Sequence, residues 1–169
     1  MSSRPPQVLA QANEHIQPLD WKGWMESSKE FALEVQKPWA DLLLEQKKTI
    51  DIRAYPLPTA LLDQRLYIIE SQGGSCASQS PLGNQVDLSS CDNARVVGWC
   101  QFSSIRVYRS KEEFENDETQ HCVAADSPFA FRPGKTLYGW EVSQMGRESP
   151  SGAVVACRRM RSLFELVLK

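Results

Sequence analysis

The chain has 169 residues, 41% of them hydrophobic and 24% charged, which suits one folded globular domain with tails and excludes a fibrous or wholly disordered chain. Its 19 Lys and Arg against 21 Asp and Glu give a formal net charge of -2, which excludes a uniformly basic phosphate binder and requires any nucleic-acid contact to be local. No apolar run is long enough to span a bilayer and the start lacks a signal-peptide pattern, so the reading is a soluble cytoplasmic or nuclear protein, monomeric and without membrane association.

Residues 1–30 read as a partly disordered N-terminal tail, with Pro5, Pro6 and Pro18 among polar residues and no helical or strand period. Trp21 and Trp24, three apart, fit one face of a helical turn docked on the domain. From residue 31 the domain proper begins. Phe31, Leu33 and Val35 alternate with Ala32, Glu34 and Gln36, the period of a strand with one buried face. Pro38 suits a helix start, and Trp39, Leu42, Leu43 and Gln46 follow at helical spacing.

Thr49 to Tyr55 alternates again, with Ile50 and Ile52 on the core side and Thr49, Asp51 and Arg53 on the other. Pro56 and Pro58 end that strand, and Arg65 to Glu70 is a strongly apolar, β-branched run. Residues 71–94, rich in Ser, Gly, Asn and Asp, read as a mobile loop insertion. Ala94 to Arg109 holds two strand-like stretches. Ser110 with Glu113 three residues on is a capping-box pattern that starts a short acidic helix. Thr136 to Val142 reads as a strand. Residues 145–161 read as a second irregular insertion carrying Arg158, Arg159 and Arg161, a possible phosphate track. Ser162 to Leu168 closes on a strand.

Many short strands, two or more short helices and no regular βαβ alternation give an α+β, mainly β fold, a strongly curved sheet or barrel. Cys76, Cys91, Cys100, Cys122 and Cys157 are odd in number and contain no C-x-x-C pair, so reduced thiols are expected and no disulfide framework. His121-Cys122 lacks a second ligand pair at metal spacing and reads as a helix-end or loop residue; no metal and no cofactor are assigned.

The strand, the Pro-initiated helix after Lys37-Pro38-Trp39, and then Lys48-Thr49-Ile50-Asp51-Ile52-Arg53 resemble the GxKxxExR pattern of the ASCH family, and the later stretch Gly134 to Glu141 also resembles that family. The resemblance covers most of residues 31–169 and implies a PUA-like β-barrel with a cleft that receives RNA or a modified nucleoside. Gln46 stands where the family has glycine, harmless if the turn needs no positive φ there. Asp51 stands where it has glutamate, one methylene shorter.

Carried onto this sequence, the resemblance puts Lys48, Asp51 and Arg53 at the cleft mouth. Lys48 is then a flexible point cation for phosphate, Arg53 a planar fork for phosphate or a base edge, and Trp39 or Tyr138 a stacking face. Lys37 and Lys47 add charge nearby. The competing reading of Asp51 and Arg53 is a solvated surface ion pair contributing roughly 0 to 1 kcal/mol. Trp39, Trp99 and Trp140 individually fit core positions better than stacking faces, with at most one or two of them facing a ligand.

One branch of the family hydrolyses the amide of an acylated cytidine with a lysine and a threonine three residues later. Lys48 matches the lysine, but Asp51 occupies the threonine position, and a carboxylate is a poor substitute for an alkoxide nucleophile. Thr49 lies about 6 to 7 Å away along the strand. Lys48 and Asp51 are thus the catalytic candidates of a secondary reading. The first expectation is an RNA or modified-nucleoside binding module, the alternative an N4-acetylcytidine-type amidohydrolase, and the third a protein-interaction domain related to transcription coactivation.

Overall fold

The computed structural model describes residues 30–73, 79–152 and 154–168; the tail reading, with Trp21 and Trp24, lies outside them. In chain order the elements are β1 (Glu30–Gln36), α1 (Trp39–Leu44), β2 (Ile50–Arg53), β3 (Arg65–Ser71), β4 (Gln85–Asp87), β5 (Ala94–Tyr108), α2 (Lys111–Asn116), α3 (Glu118–His121), β6 (Leu137–Gly146), β7 (Val154–Met160) and β8 (Leu163–Leu168). The result is mainly β with short helices. No helix among the described residues is long and apolar enough to cross a membrane.

The eight strands form one mixed sheet in the order β2-β6-β5-β3-β1-β8-β7-β4, with β1 and β3 parallel. The expected barrel is therefore corrected, since no pairing among the described residues joins the two ends of the sheet. Those two ends are β2 and β4. Both ladders of β1 are taken, by β3 and by β8, so where β2 approaches β1 it cannot hydrogen-bond to it as a strand. What remains between them is a seam.

β1 also departs from its one-sided pattern. Phe31 through Val35 are all buried, because a central strand is covered on both faces: Leu33 and Val35 enter the main core and Ala32 a second cluster with Ile69 and Phe164. The main core is built around Trp140, which is fully buried, meets Tyr55 and Phe102 edge-on, and donates its indole N–H to the Tyr55 carbonyl at 3.2 Å.

The two expected insertions contain sheet. β4 pairs with β7, and Leu88 and Ala94 are buried in the second cluster, so the Ser- and Asn-rich stretch is anchored at its far end. β7 and β8 form a hairpin over much of 145–161. The arginines of that hairpin are engaged: Arg159 pairs with Glu165 at 2.7 Å, and Arg158 donates to the carbonyls of Arg161 (2.7 Å) and Ser80 (3.0 Å). The two stretches expected before residue 109 are one strand of 15 residues, bent by register shifts near Ile68 and Phe102. Cys91 is disulfide-bonded, which corrects the expectation of reduced thiols there, while Cys100, Cys122 and Cys157 are free.

Ser110 caps α2 as its sequence requires, its hydroxyl accepting the Glu113 N–H at 3.2 Å, while the Glu113 carboxylate accepts the Arg109 N–H at 2.9 Å. α2 and α3 are tied to the sheet by Asp117, whose carboxylate receives the Tyr108 hydroxyl (2.7 Å) and an Arg106 N–H (2.9 Å). Burial and that hydrogen bond hold the Tyr108 hydroxyl firmly protonated.

Candidate functional site

α1 ends in a tight turn in which the N–H groups of Lys47 and Lys48 both donate to the Leu42 carbonyl at 3.0 Å. The turn carries Gln46 at φ +61°, so the backbone does require the left-handed conformation where the family signature has glycine. The turn brings Lys48 into the interior at 2% exposure. Its ammonium donates to the His121 carbonyl and sits 4.9 Å above the Trp39 ring. Lys48 is therefore not a flexible cation at the mouth of a cleft. Burial pulls its pKa below the usual lysine value, and the nearby Asp51 opposes that shift.

The carbonyl that holds Lys48 is itself fixed. The His121 ring is fully buried and stacked on Phe114, with centroids 4.1 Å apart. Nδ1 accepts the Val123 N–H at 2.9 Å, so the proton resides on Nε2, which donates to the Phe114 carbonyl at 2.7 Å. Desolvation lowers the ring's pKa, with that carbonyl acting against the shift.

On β2, Asp51 stands opposite Trp140 and Arg53 opposite Tyr138. Arg53 Nε donates to Asp51 Oδ2 at 2.8 Å, and a second nitrogen reaches across the seam to the Glu34 carbonyl at 3.0 Å. The guanidinium carbon lies 5.7 Å from the Trp140 ring centre. The pair is not solvated, since the Arg53 and Asp51 side chains are only 15% and 5% exposed. Arg53 thus ties β2 to β1 across the seam through a side-chain hydrogen bond.

A cleft of about 250 Å³ opens there, bordered by the end of β1 (Glu34 to Gln36) and by β2 (Asp51 to Arg53), with Lys48 and Trp39 in its wall. Phe129 completes an aromatic rim, 54% exposed and edge-on to Trp39 at 6.5 Å. Of the residues expected at the site, Trp39, Lys48, Asp51 and Arg53 come together in this cleft. Lys37 stands outside it, partly exposed and 3.6 Å from Glu70, and Lys47 pairs with Glu45 at 2.8 Å. Tyr138 packs half-buried against the main core. Thr49 borders a neighbouring cavity of about 410 Å³ with Gln46 and Trp99, and Lys48 lies in the wall of both.

Two cleft residues carry no sequence motif. Phe129 lies in a loop without periodicity. Glu34 had one legible signal, an acid inside the otherwise apolar Phe31-Ala32-Leu33-Glu34-Val35.

The described residues thus form an open mixed sheet with a small cleft at its seam. No protein-family model matches the chain, and no curated protein matches it. The chain is similar to the crystal structure of ASCH from Zymomonas mobilis, at 15% identity and a TM-score of 0.46 over 69% of this chain and 68% of that one. It is likewise similar to a mutant of that Zymomonas mobilis protein, at 16% identity and a TM-score of 0.46 over 72% and 74%.

Proposed function

We propose that the seam cleft binds single-stranded RNA or a modified nucleoside by taking up one base. The observation that carries this reading is the joining, in about 250 Å³, of an aromatic rim with buried, fixed charges. Trp39 and Phe129 offer a surface on which any base can stack, and such stacking contributes about 1–3 kcal/mol per base. The volume is below the roughly 300–1,000 Å³ of drug-sized ligand sites, which suits a single planar group and excludes a duplex. Asp51 and Arg53 hold each other and Lys48 is held by the His121 carbonyl, so the three give orientation rather than a long phosphate track.

Phe129→Ala tests this best, because the side chain is exposed and its removal leaves the core intact. The variant should bind mixed-sequence single-stranded RNA at least fivefold more weakly in a fluorescence titration, with an unchanged melting temperature. Equal affinity for both proteins, or no binding by either, removes the reading.

The amidohydrolase alternative draws on one observation, a desolvated Lys48 with lowered pKa near the Asp51 carboxylate, which suits a proton acceptor. Against it, the single hydroxyl side chain bordering the cleft among the described residues is Ser162, and Thr49 borders the neighbouring cavity. Release of acetate from N4-acetylcytidine, lost in Lys48→Met, would establish it.

A further inference from the structure

Glu34 is the group at the seam whose bonding is incomplete. Its main chain is fully used, the N–H donating to the Ser162 carbonyl at 2.9 Å and the carbonyl accepting from Arg53 at 3.0 Å. Its side chain is not. The residue is only 5% exposed, and both carboxylate oxygens are buried without a hydrogen-bond partner among the described residues. Arg53 lies near enough to attract the charge, but its donors are directed to Asp51 and to the Glu34 main chain. Buried polar atoms are almost always bonded, and an orphaned carboxylate costs stability that a solvent-exposed one does not. Such a group in the border of a binding cleft is an acceptor awaiting a donor.

We infer that Glu34 is a specificity-determining residue that selects a base presenting two adjacent N–H donors on one planar edge, as guanine does at its ring N1–H and exocyclic amine. This deepens the base-binding reading and rests on it. A carboxylate has two parallel acceptor oxygens and no donor, so it matches two neighbouring N–H groups and opposes an edge that offers carbonyl oxygens. Among the described residues the only other carboxylate bordering the cleft is Asp51, which Arg53 already occupies. The selectivity belongs to Glu34.

The test is a calorimetric titration of the full chain with guanosine and with inosine, which differs only by lacking the exocyclic amine, alongside mixed single-stranded RNA. The wild-type chain should bind guanosine about tenfold or more tightly than inosine, the factor expected for one charge-assisted hydrogen bond. Glu34→Gln, which replaces one acceptor by a donor, should bring the two affinities to within about threefold of each other and should raise the melting temperature, because it removes a buried carboxylate that no hydrogen-bond donor satisfies. Binding of RNA with equal affinity for guanosine and inosine overturns the role of Glu34 and leaves the cleft reading standing. A lower melting temperature for Glu34→Gln assigns the carboxylate to the fold and overturns it too. Failure to bind guanosine, inosine and RNA alike removes the cleft reading and this inference together.

Discussion

Gln46 holds a left-handed φ of +61° in the turn that delivers Lys48. A residue with a Cβ is disfavoured there by roughly 1 kcal/mol, and glycine is not. Gln46→Gly should therefore stabilise the domain by about 0.5–1 kcal/mol in urea denaturation, even though glycine gains freedom in the unfolded chain. A loss of stability would mean that the Gln46 side chain contributes more than the strain costs. Arg53 behaves oppositely. Its removal leaves Asp51 buried and unpaired, so Arg53→Ala should cost about 3 kcal/mol, and Asp51→Asn in the same background should recover part of it. No recovery in that double variant would show that the bond to the Glu34 carbonyl, not the ion pair, carries the cost. Lys48 and Arg53 were visible in the signature, but their burial was not. A motif fixes residue types and spacing, whereas the depth of Lys48 and Arg53 depends on where α3 and β1 lie.

Legibility differs in the same way among the elements. β1, α1, β2, β3, β6 and β8 follow from apolar periods and proline placement, and α2 from the Ser110 cap. β4 does not, because three residues among Ser, Asn and Asp carry no period and exist as a strand only through pairing with β7. The continuity of β5 was hidden by its bulges. α3 is four residues long and has no propensity signal, yet its last residue seats Lys48. Its dependence on pH follows from His121. The folded state lowers the ring's pKa below 6.5, so the unfolded chain binds the proton more readily. The His121 contribution is then fully present above pH 6.5 and is lost as pH falls below it toward the folded value. Melting temperature should decline between pH 6.5 and 5, and more steeply in wild type than in His121→Gln. Parallel profiles would dissociate the helix end from the titration.

At the scale of the whole molecule, an unclosed sheet and a net charge of -2 together determine how a nucleic acid would be bound. Proteins that follow a backbone release counterions, and their binding weakens with salt at about 0.7 decade per neutralised phosphate for single strands. Of the basic groups that sequence alone would assign to phosphate, Arg159 is held by Glu165, Arg158 by carbonyls, Lys37 by Glu70 and Lys48 by His121, while the exposed Arg161 lies 5.5 Å from the Tyr55 ring. In the cleft, Lys48 and Arg53 are balanced by Asp51 and Glu34. Affinity for single-stranded RNA should therefore depend weakly on salt, with a slope of log K against log salt no steeper than about -1. It should also be unchanged by Arg159→Ala, since that side chain serves Glu165. The measurement is a titration at several potassium chloride concentrations with the oligonucleotide held constant. A slope of about -2 or steeper corresponds to three phosphates and would require a basic path over the surface, which would shift the explanation of binding from the seam to the backbone of the nucleic acid. A shallow slope with a strong effect of Phe129→Ala would locate the free energy in stacking at the rim, where the sheet fails to close.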